Sequence, residues 1–280
     1  MDLQLHPLNQ TFNWAPPQGP YRRISAPQVR AYDEDGFFIL DDAFDAETLR
    51  QVIAEIDPLE RRLEDFLRLQ DGGRFFIAQA DAITFTTHLV LQSAHLHDFC
   101  GGPLFQDLAH DLIGPDVRLY WDQAVYKKPE PQREFPWHQD NGYTYIEPQQ
   151  YLTCWIALTD ATLDNGCPWV VPGLHRHGTL KHWMTDYGWT CLENPADAVA
   201  VPARAGSIVV FSSLTPHRTG PNRTAAVRKS YIVQFAPDGA CQIARDATTH
   251  ERTVTPVTDP DRQFVVLKNG LPEPRRDQAR

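Results

Sequence analysis

Paired cysteines, an excess of positive charge and long apolar runs are all missing from this chain. Its five cysteines, Cys100, Cys154, Cys167, Cys191 and Cys241, are odd in number, far apart and contain no C-x-x-C. That pattern argues against a disulfide framework or a zinc knuckle and for free thiols in a reducing compartment. Acidic side chains outnumber basic ones, 36 to 26, giving a formal net charge of −10. Phosphate binding needs a basic face, so a general nucleic-acid binder is excluded, and docking on anionic membranes is disfavoured. No stretch is apolar enough to span a bilayer, and Met1 to Pro20 contain no apolar run behind a basic start. Neither a membrane protein nor a secretory leader is expected. Gln278-Ala279-Arg280 is not a peroxisomal tripeptide, which leaves a cytoplasmic location as the expectation.

The chain has 280 residues, 42% of them hydrophobic, which is too apolar for disorder and enough for a sizeable core. Its 23 prolines, about 8% against an average near 5%, favour many short elements joined by turns over a helical bundle. The 11 histidines hint at metal, but only their arrangement can say more.

Residues 1–24 read as an irregular arm. Ser25 is a helix N-cap followed by Pro27, with Gly36 as the stop, and Phe37–Leu40 follows as a buried strand. Asp45 caps a second helix whose apolar positions Leu49, Val52, Ile53 and Ile56 recur at helical spacing, with Pro58 expected to break or kink it and Leu59 to Gln70 expected to continue as helix. Another amphipathic helix is expected within 97–113. From residue 117 the period changes to short runs rich in Val, Ile, Tyr, Trp and Phe: 117–126, 137–146, 151–158, 169–171, 199–201, 207–214 and 225–235. Turn residues separate them, as in a sandwich or barrel. Beyond about residue 240 the chain is polar and is expected to wrap the surface, apart from Phe264–Leu267. The organisation expected is one catalytic domain over 1–280: the arm, a mostly helical support layer over 25–115, a β core over 116–236 and a C-terminal surface extension over 237–280. A split near residue 115 is disfavoured because no linker-like boundary lies there.

His138-Gln139-Asp140 falls inside a strand-like stretch, where residues i and i+2 face one side. An imidazole and a carboxylate on one face, joined by a third ligand, make the two-His-one-carboxylate triad of non-haem Fe(II) oxygenases. Alone, H-x-D occurs at about the chance rate for this composition. The second element is Ser207–Leu214, a strand leading to His217, a turn at Gly220-Pro221-Asn222, and a return through Arg228 to Phe235. A hairpin there would bring Arg228 back toward His217, setting a guanidinium fork beside a metal-binding imidazole; such a fork suits the far end of a dicarboxylate. Taken alone, Arg228 is more simply read as a salt-bridged surface residue.

Together these segments resemble the phytanoyl-CoA dioxygenase (PhyH) family of Fe(II)/2-oxoglutarate oxygenases. The resemblance rests on Trp137–Asp140 after Tyr126–Pro129, on Trp155–Leu158, Asp164-Asn165-Gly166 and Val170–His175, and on His217 followed by Asn222 and Arg228. The sequence separation of eleven from His217 to Arg228 matches the family's spacing, and Leu174 departs from its usual small polar residue. The resemblance covers roughly residues 30–235 and implies a mainly β fold: a double-stranded β-helix (jelly-roll, cupin-like) core with supporting N-terminal α-helices. It implies Fe(II) on His138, Asp140 and His217, with 2-oxoglutarate as co-substrate held at its distal carboxylate by Arg228 and Thr219. Trp155 matches an aromatic beside the co-substrate, and Lys127 and Gln123 lie on the strand before the motif, Gln123 toward the co-substrate's metal end. The implied reaction hydroxylates an unactivated C–H of a small organic substrate, consuming O2 and releasing succinate and CO2. Asp140 favours this over halogenation, since related halogenases carry Gly or Ala there.

The pairs His95/His97 and His175/His177 are read as structural or surface groups, and His6, His88, His110, His182 and His250 carry no pattern. The segment 178–198 is long for a connection in a compact domain and is a candidate lid. Its Trp183 and Trp189, with Tyr143 and Tyr145, either wall a substrate pocket or pack the segment down. Phe75 and Phe76 are expected in the core. Two other readings stay open: a jelly-roll metalloenzyme that does not use 2-oxoglutarate, such as a cupin-like dioxygenase or hydrolase, and a non-catalytic binding module. The first would survive loss of Arg228; a binding module has no need of an intact triad plus Arg228. Substrate identity and oligomeric state are not legible.

Overall fold

The computed structural model describes residues 3–246, 248–249 and 251–273; His250 and the tripeptide 278–280 lie outside the described residues. Helix α1 (Ala26–Glu34) starts at Ser25, whose backbone N–H donates to Gln28 Oε1, and the chain leaves it through Gly36 at φ +85°. Strand β1 (Phe37–Leu40) leads to α2 (Ala46–Arg68), capped by Asp45 accepting from the Thr48 N–H at 2.8 Å. Of the break or kink expected at Pro58, the break does not occur: α2 runs on as one helix to Arg68. Pro58 lies on the exposed face, while Leu49, Val52, Ile56, Leu59 and Leu67 are buried. A proline in a helix interior costs roughly 3 kcal/mol, whereas each buried aliphatic contributes roughly 1.5–3 kcal/mol, so packing prevails. The single helix expected within 97–113 is two, α3 (Ala94–Cys100) and α4 (Pro103–Leu112), parted at Gly101-Gly102.

The larger sheet runs β1 – β8 (Ile208–Ser212) – β5 (Leu152–Ala157) – β10 (Arg228–Pro237) – β3 (Val117–Lys127) – β2 (Ile83–Thr87), all antiparallel. Opposite it, a smaller antiparallel sheet runs β7 (Val199–Ala200) – β6 (Pro168–Val170) – β9 (His217–Thr219) – β4 (Phe135–His138). This is the jelly-roll arrangement, mainly β with helical support. The two faces of the larger sheet have different partners, as period-2 alternation requires. Cys154, Ile156, Tyr231 and Val233 face the helices and share a core with Leu49, Val52, Ile56 and Phe105. Trp155, Ala157, Val209, Phe211 and Ile232 face the smaller sheet and pack with Phe135 and Val170.

Three further expectations give way. Phe75 and Phe76 are 61% and 55% exposed, outside any core; they sit by a tight turn between two-residue strands, too short to be covered. The tail beyond 240 is more structured than its polarity suggests: Cys241–Arg245 and Arg252–Pro256 pair, and Val265–Lys268 joins β3 with Val266 and Leu267 buried. Strands β9 and β10 do not form a hairpin, because they belong to opposite sheets. No helix among the described residues is long and apolar enough to cross a membrane.

Candidate metal and co-substrate site

His138 ends β4 and His217 begins β9, and the two residues are cross-strand partners in the smaller sheet. Asp140 is not on the strand as expected; the strand stops at His138 and Asp140 opens a single helical turn, Asp140–Tyr143. That turn bends the carboxylate back toward both imidazoles. Asp140 Oδ1 lies 3.9 Å from His138 Nε2 and 3.7 Å from His217 Nε2. All three ligand atoms lie within 4.8 Å of one another, and no other such group of three occurs among the described residues.

The protein orients each of these groups. His138 Nδ1 sits 2.9 Å from the Pro136 carbonyl and His217 Nδ1 3.0 Å from that of Thr215. A carbonyl accepts only, so each Nδ1 carries the hydrogen and each Nε2 turns its lone pair inward. Asp140 Oδ2 accepts from the Thr153 hydroxyl at 2.6 Å, leaving Oδ1 for the centre. Such outer partners fix ring orientation and tautomer in metal sites. Burial, reinforced by His217, lowers the His138 pKa well below the usual imidazole value, which favours the neutral, ligating form. Two imidazole nitrogens and one carboxylate oxygen converging on one point fit the donor set of a non-haem iron site.

Across the sandwich, the inward face of the larger sheet carries a second feature. Arg228 begins β10 and Lys127 ends β3; they are cross-strand partners, each 1% exposed. Arg228 donates through Nη1 to Ser230 Oγ at 2.7 Å and lies over the Trp155 ring at 5.2 Å, while its Nε and Nη2 are buried without a partner. Lys127 Nζ reaches only the backbone oxygen and hydroxyl of Thr219, at 3.3 and 3.4 Å. Desolvation brings the Arg228 pKa down to about 10. Desolvation first, then Arg228 and Arg133, lowers Lys127 well below the usual lysine range. Two adjacent buried cations with no carboxylate on either are costly unless an anion arrives from outside. Arg228, Lys127, Thr219 and Trp155 are therefore brought together. Gln123 faces the same interior, four residues before Lys127 on β3, but its Oε1 accepts from Trp121 Nε1 at 3.1 Å.

The proposed substrate aromatics separate. Tyr143 lies edge-on to the His138 ring, centroids 5.3 Å apart. Tyr145 instead stacks on His6 of the N-terminal arm at 4.7 Å. Trp183 is 40% exposed and lines a separate cavity of about 480 Å³ with Leu3, Lys181 and Leu192. It belongs, with Trp189, to the two-stranded ribbon Trp183–Thr185/Gly188–Thr190, where Met184 pairs with Trp189. His175 is buried with Nε2 on the Asp33 carbonyl, and His97 stacks on Phe264, both structural roles. Sequence reasoning missed Thr153 and Ser230. The i, i+2 spacing from Arg228 was a usable signal for Ser230; Thr153 is thirteen residues from Asp140 and gave none.

A family profile described as phytanoyl-CoA dioxygenase (PhyH) matches residues 32–230. A phytanoyl-CoA dioxygenase of Arabidopsis thaliana is 28% identical over 155 residues, 53% of this chain and 55% of that protein. The phytanoyl-CoA dioxygenase domain-containing protein 1 of Mus musculus is 26% identical over 265 residues, 76% of this chain and 90% of the relative. The chain thus spans about half the length of the plant relative it matches and nearly all of the mouse one. Among solved structures, the epimerase SnoN, in complex with Fe3+, alpha-ketoglutarate and nogalamycin RO, superposes with a TM-score of 0.66 at 23% identity, covering 86% of this chain and 97% of that one.

Proposed function

We infer the roles of individual residues from the premise that the chain belongs to the phytanoyl-CoA dioxygenase family, and it is an Fe(II)- and 2-oxoglutarate-dependent dioxygenase of that family. His138, Asp140 and His217 hold Fe(II), which when bound supplies O2 activation coupled to conversion of 2-oxoglutarate to succinate and CO2. Arg228 receives the distal carboxylate of 2-oxoglutarate, with Lys127 and the Thr219 hydroxyl beside it. The observation that carries this assignment is the pair of buried cations with no anionic partner. A carboxylate placed there neutralises both and takes up the free Nε and Nη2 of Arg228. Trp155 under the guanidinium keeps the fork in plane and excludes water from it. Tyr143 borders the substrate side of His138.

The reaction proposed is hydroxylation of an unactivated C–H of a small organic substrate. Retention of the Asp140 carboxylate supports hydroxylation over halogenation. SnoN, an epimerase on the same fold, is the reason the product must be identified rather than assumed. The net charge of −10 supports a substrate other than nucleic acid, and the free thiols, four of them buried, support a cytoplasmic setting.

The test is succinate formation by metal-reconstituted protein, with candidate compounds screened for stimulated turnover. His138→Ala should abolish it. Arg228→Ala should raise the Kd for 2-oxoglutarate on the order of 100-fold while metal affinity stays near wild type, as expected when one partner of a buried charged contact is removed. A metal-loaded chain that neither binds 2-oxoglutarate nor makes succinate would point to the jelly-roll enzyme without this co-substrate.

A further inference from the structure

Histidine 182 has no sequence pattern, yet it is built into the metal loop. The backbone N–H of Gln139, the residue between ligands His138 and Asp140, donates to His182 Nε2 at 3.0 Å. The opposite nitrogen, Nδ1, lies 2.9 Å from the Leu180 carbonyl. A carbonyl accepts and an amide donates, so both contacts require one state of the ring: neutral, with the hydrogen on Nδ1. The ring occupies the space above Gly142, where a Cβ would overlap its atoms. The side chain of Gln139 strengthens the same tie. It is fully buried, donates to Gly178 O at 3.0 Å and Leu214 O at 2.6 Å, and accepts from the Leu180 N–H at 2.6 Å. Asn141, on the other side of Asp140, donates to Thr179 Oγ1 at 2.7 Å. Segment 178–182 thus grips the ligand loop on both sides of Asp140, and Gln139 also reaches Leu214, three residues before His217.

We propose that His182 is a positioning residue for the metal centre, its imidazole holding the peptide between His138 and Asp140 in the space that Gly142 leaves open. This rests on the reading of His138, Asp140 and His217 as the iron site. His182 does not touch the metal; it sets the angle at which two of the three ligands meet. Without it the single turn 140–143 is free to relax toward an extended chain, and the Asp140 carboxylate swings off the axis shared by the imidazoles.

Anaerobic calorimetric titration of metal-free protein with Fe(II), repeated with Co(II), tests this without any turnover. The wild-type chain should bind one ion. His182→Ala should weaken binding by about 10- to 100-fold, the range typical of groups that orient metal ligands. Gly142→Ala, which forces the ring aside, should weaken it in the same way. His182→Gln, whose amide offers both an acceptor and a donor, should recover most of the affinity. His175→Ala is the control: it removes another imidazole bonded to a backbone carbonyl and should lower Tm while leaving metal affinity unchanged. Folded His182→Ala or Gly142→Ala protein with a metal Kd within about threefold of wild type overturns the proposal, as does an equal loss in His175→Ala. If His182→Ala does not fold, Gly142→Ala decides on the same criterion, and a His182→Gln protein that binds metal no better than Gly142→Ala also overturns the proposal. A wild-type chain that binds no metal overturns the iron-site reading and this assignment together.

Discussion

At the residue scale, the chain keeps several ionisable groups away from water and uses them differently. Lys127 and Arg228 are buried with no carboxylate on either. Asp122, also 1% exposed, lies on the helix-facing side of β3. Its Oδ2 accepts from the backbone N–H groups of Leu89 and Val90 and from the Tyr231 hydroxyl, whereas its Oδ1 is buried without a partner. Desolvation outweighs the three hydrogen bonds and raises its pKa to about 6. The sign follows directly. A raised carboxyl pKa stabilises the fold below the unfolded-state value, near 4, and that contribution is lost as pH rises through about 6. Asp122→Asn, which mimics the protonated form, should therefore gain on wild type across this window, by roughly 3 kcal/mol in full. Denaturant midpoints of the two proteins that run parallel from pH 4 to pH 7 would refute it. His138 and His217 were legible in sequence through their order and spacing, which resemble those of a family whose iron ligands are of these types. Thr153 and His182 were not, since each matters only through a neighbour that the fold supplies.

At the element scale, local signals marked starts and stops well and interiors poorly. Ser25 and Asp45 cap the helices they were expected to cap. Pro58 does not break α2, because its missing N–H is a local loss whereas the apolar stripe that holds the helix is set by the sheet beneath it. A proline inside a helix still lowers its stability, so Pro58→Ala should raise the thermal midpoint, by roughly 1–3 kcal/mol of stability. Unchanged or lower Tm would mean that the surroundings have adapted to the ring. The ligand loop follows the same logic. Alternation predicted a strand through Asp140, but Gln139 and Asn141 bond to 178–182 and turn the chain into a helical bend. Likewise, the glycine-proline turn after His217 was visible, but a turn does not say whether the chain returns in the same sheet or crosses to the opposite one.

At the scale of the whole molecule, the helical layer and the larger sheet are not separable bodies. One apolar cluster takes in Ile24, Leu49, Ile56, Phe105, Ile156, Val210, Phe235 and Leu267, from the support layer to the tail. We therefore propose that the chain is one catalytic domain that unfolds as a unit. Thermal transitions followed by helix signal and by aromatic environment should coincide; an early helical loss would favour a division near residue 115. The amino-acid order was sufficient to set the class of chemistry, because iron and a dicarboxylate demand particular donors, and it set the mainly β character, because alternation and turn residues are local. Tertiary structure decided how those donors meet. The smaller sheet pairs His138 with His217, the larger sheet pairs Arg228 with Lys127, and a segment forty residues downstream holds the loop that carries Asp140. Contacts of that span depend on which strands pair and which cross, and no local pattern of residues encodes that choice.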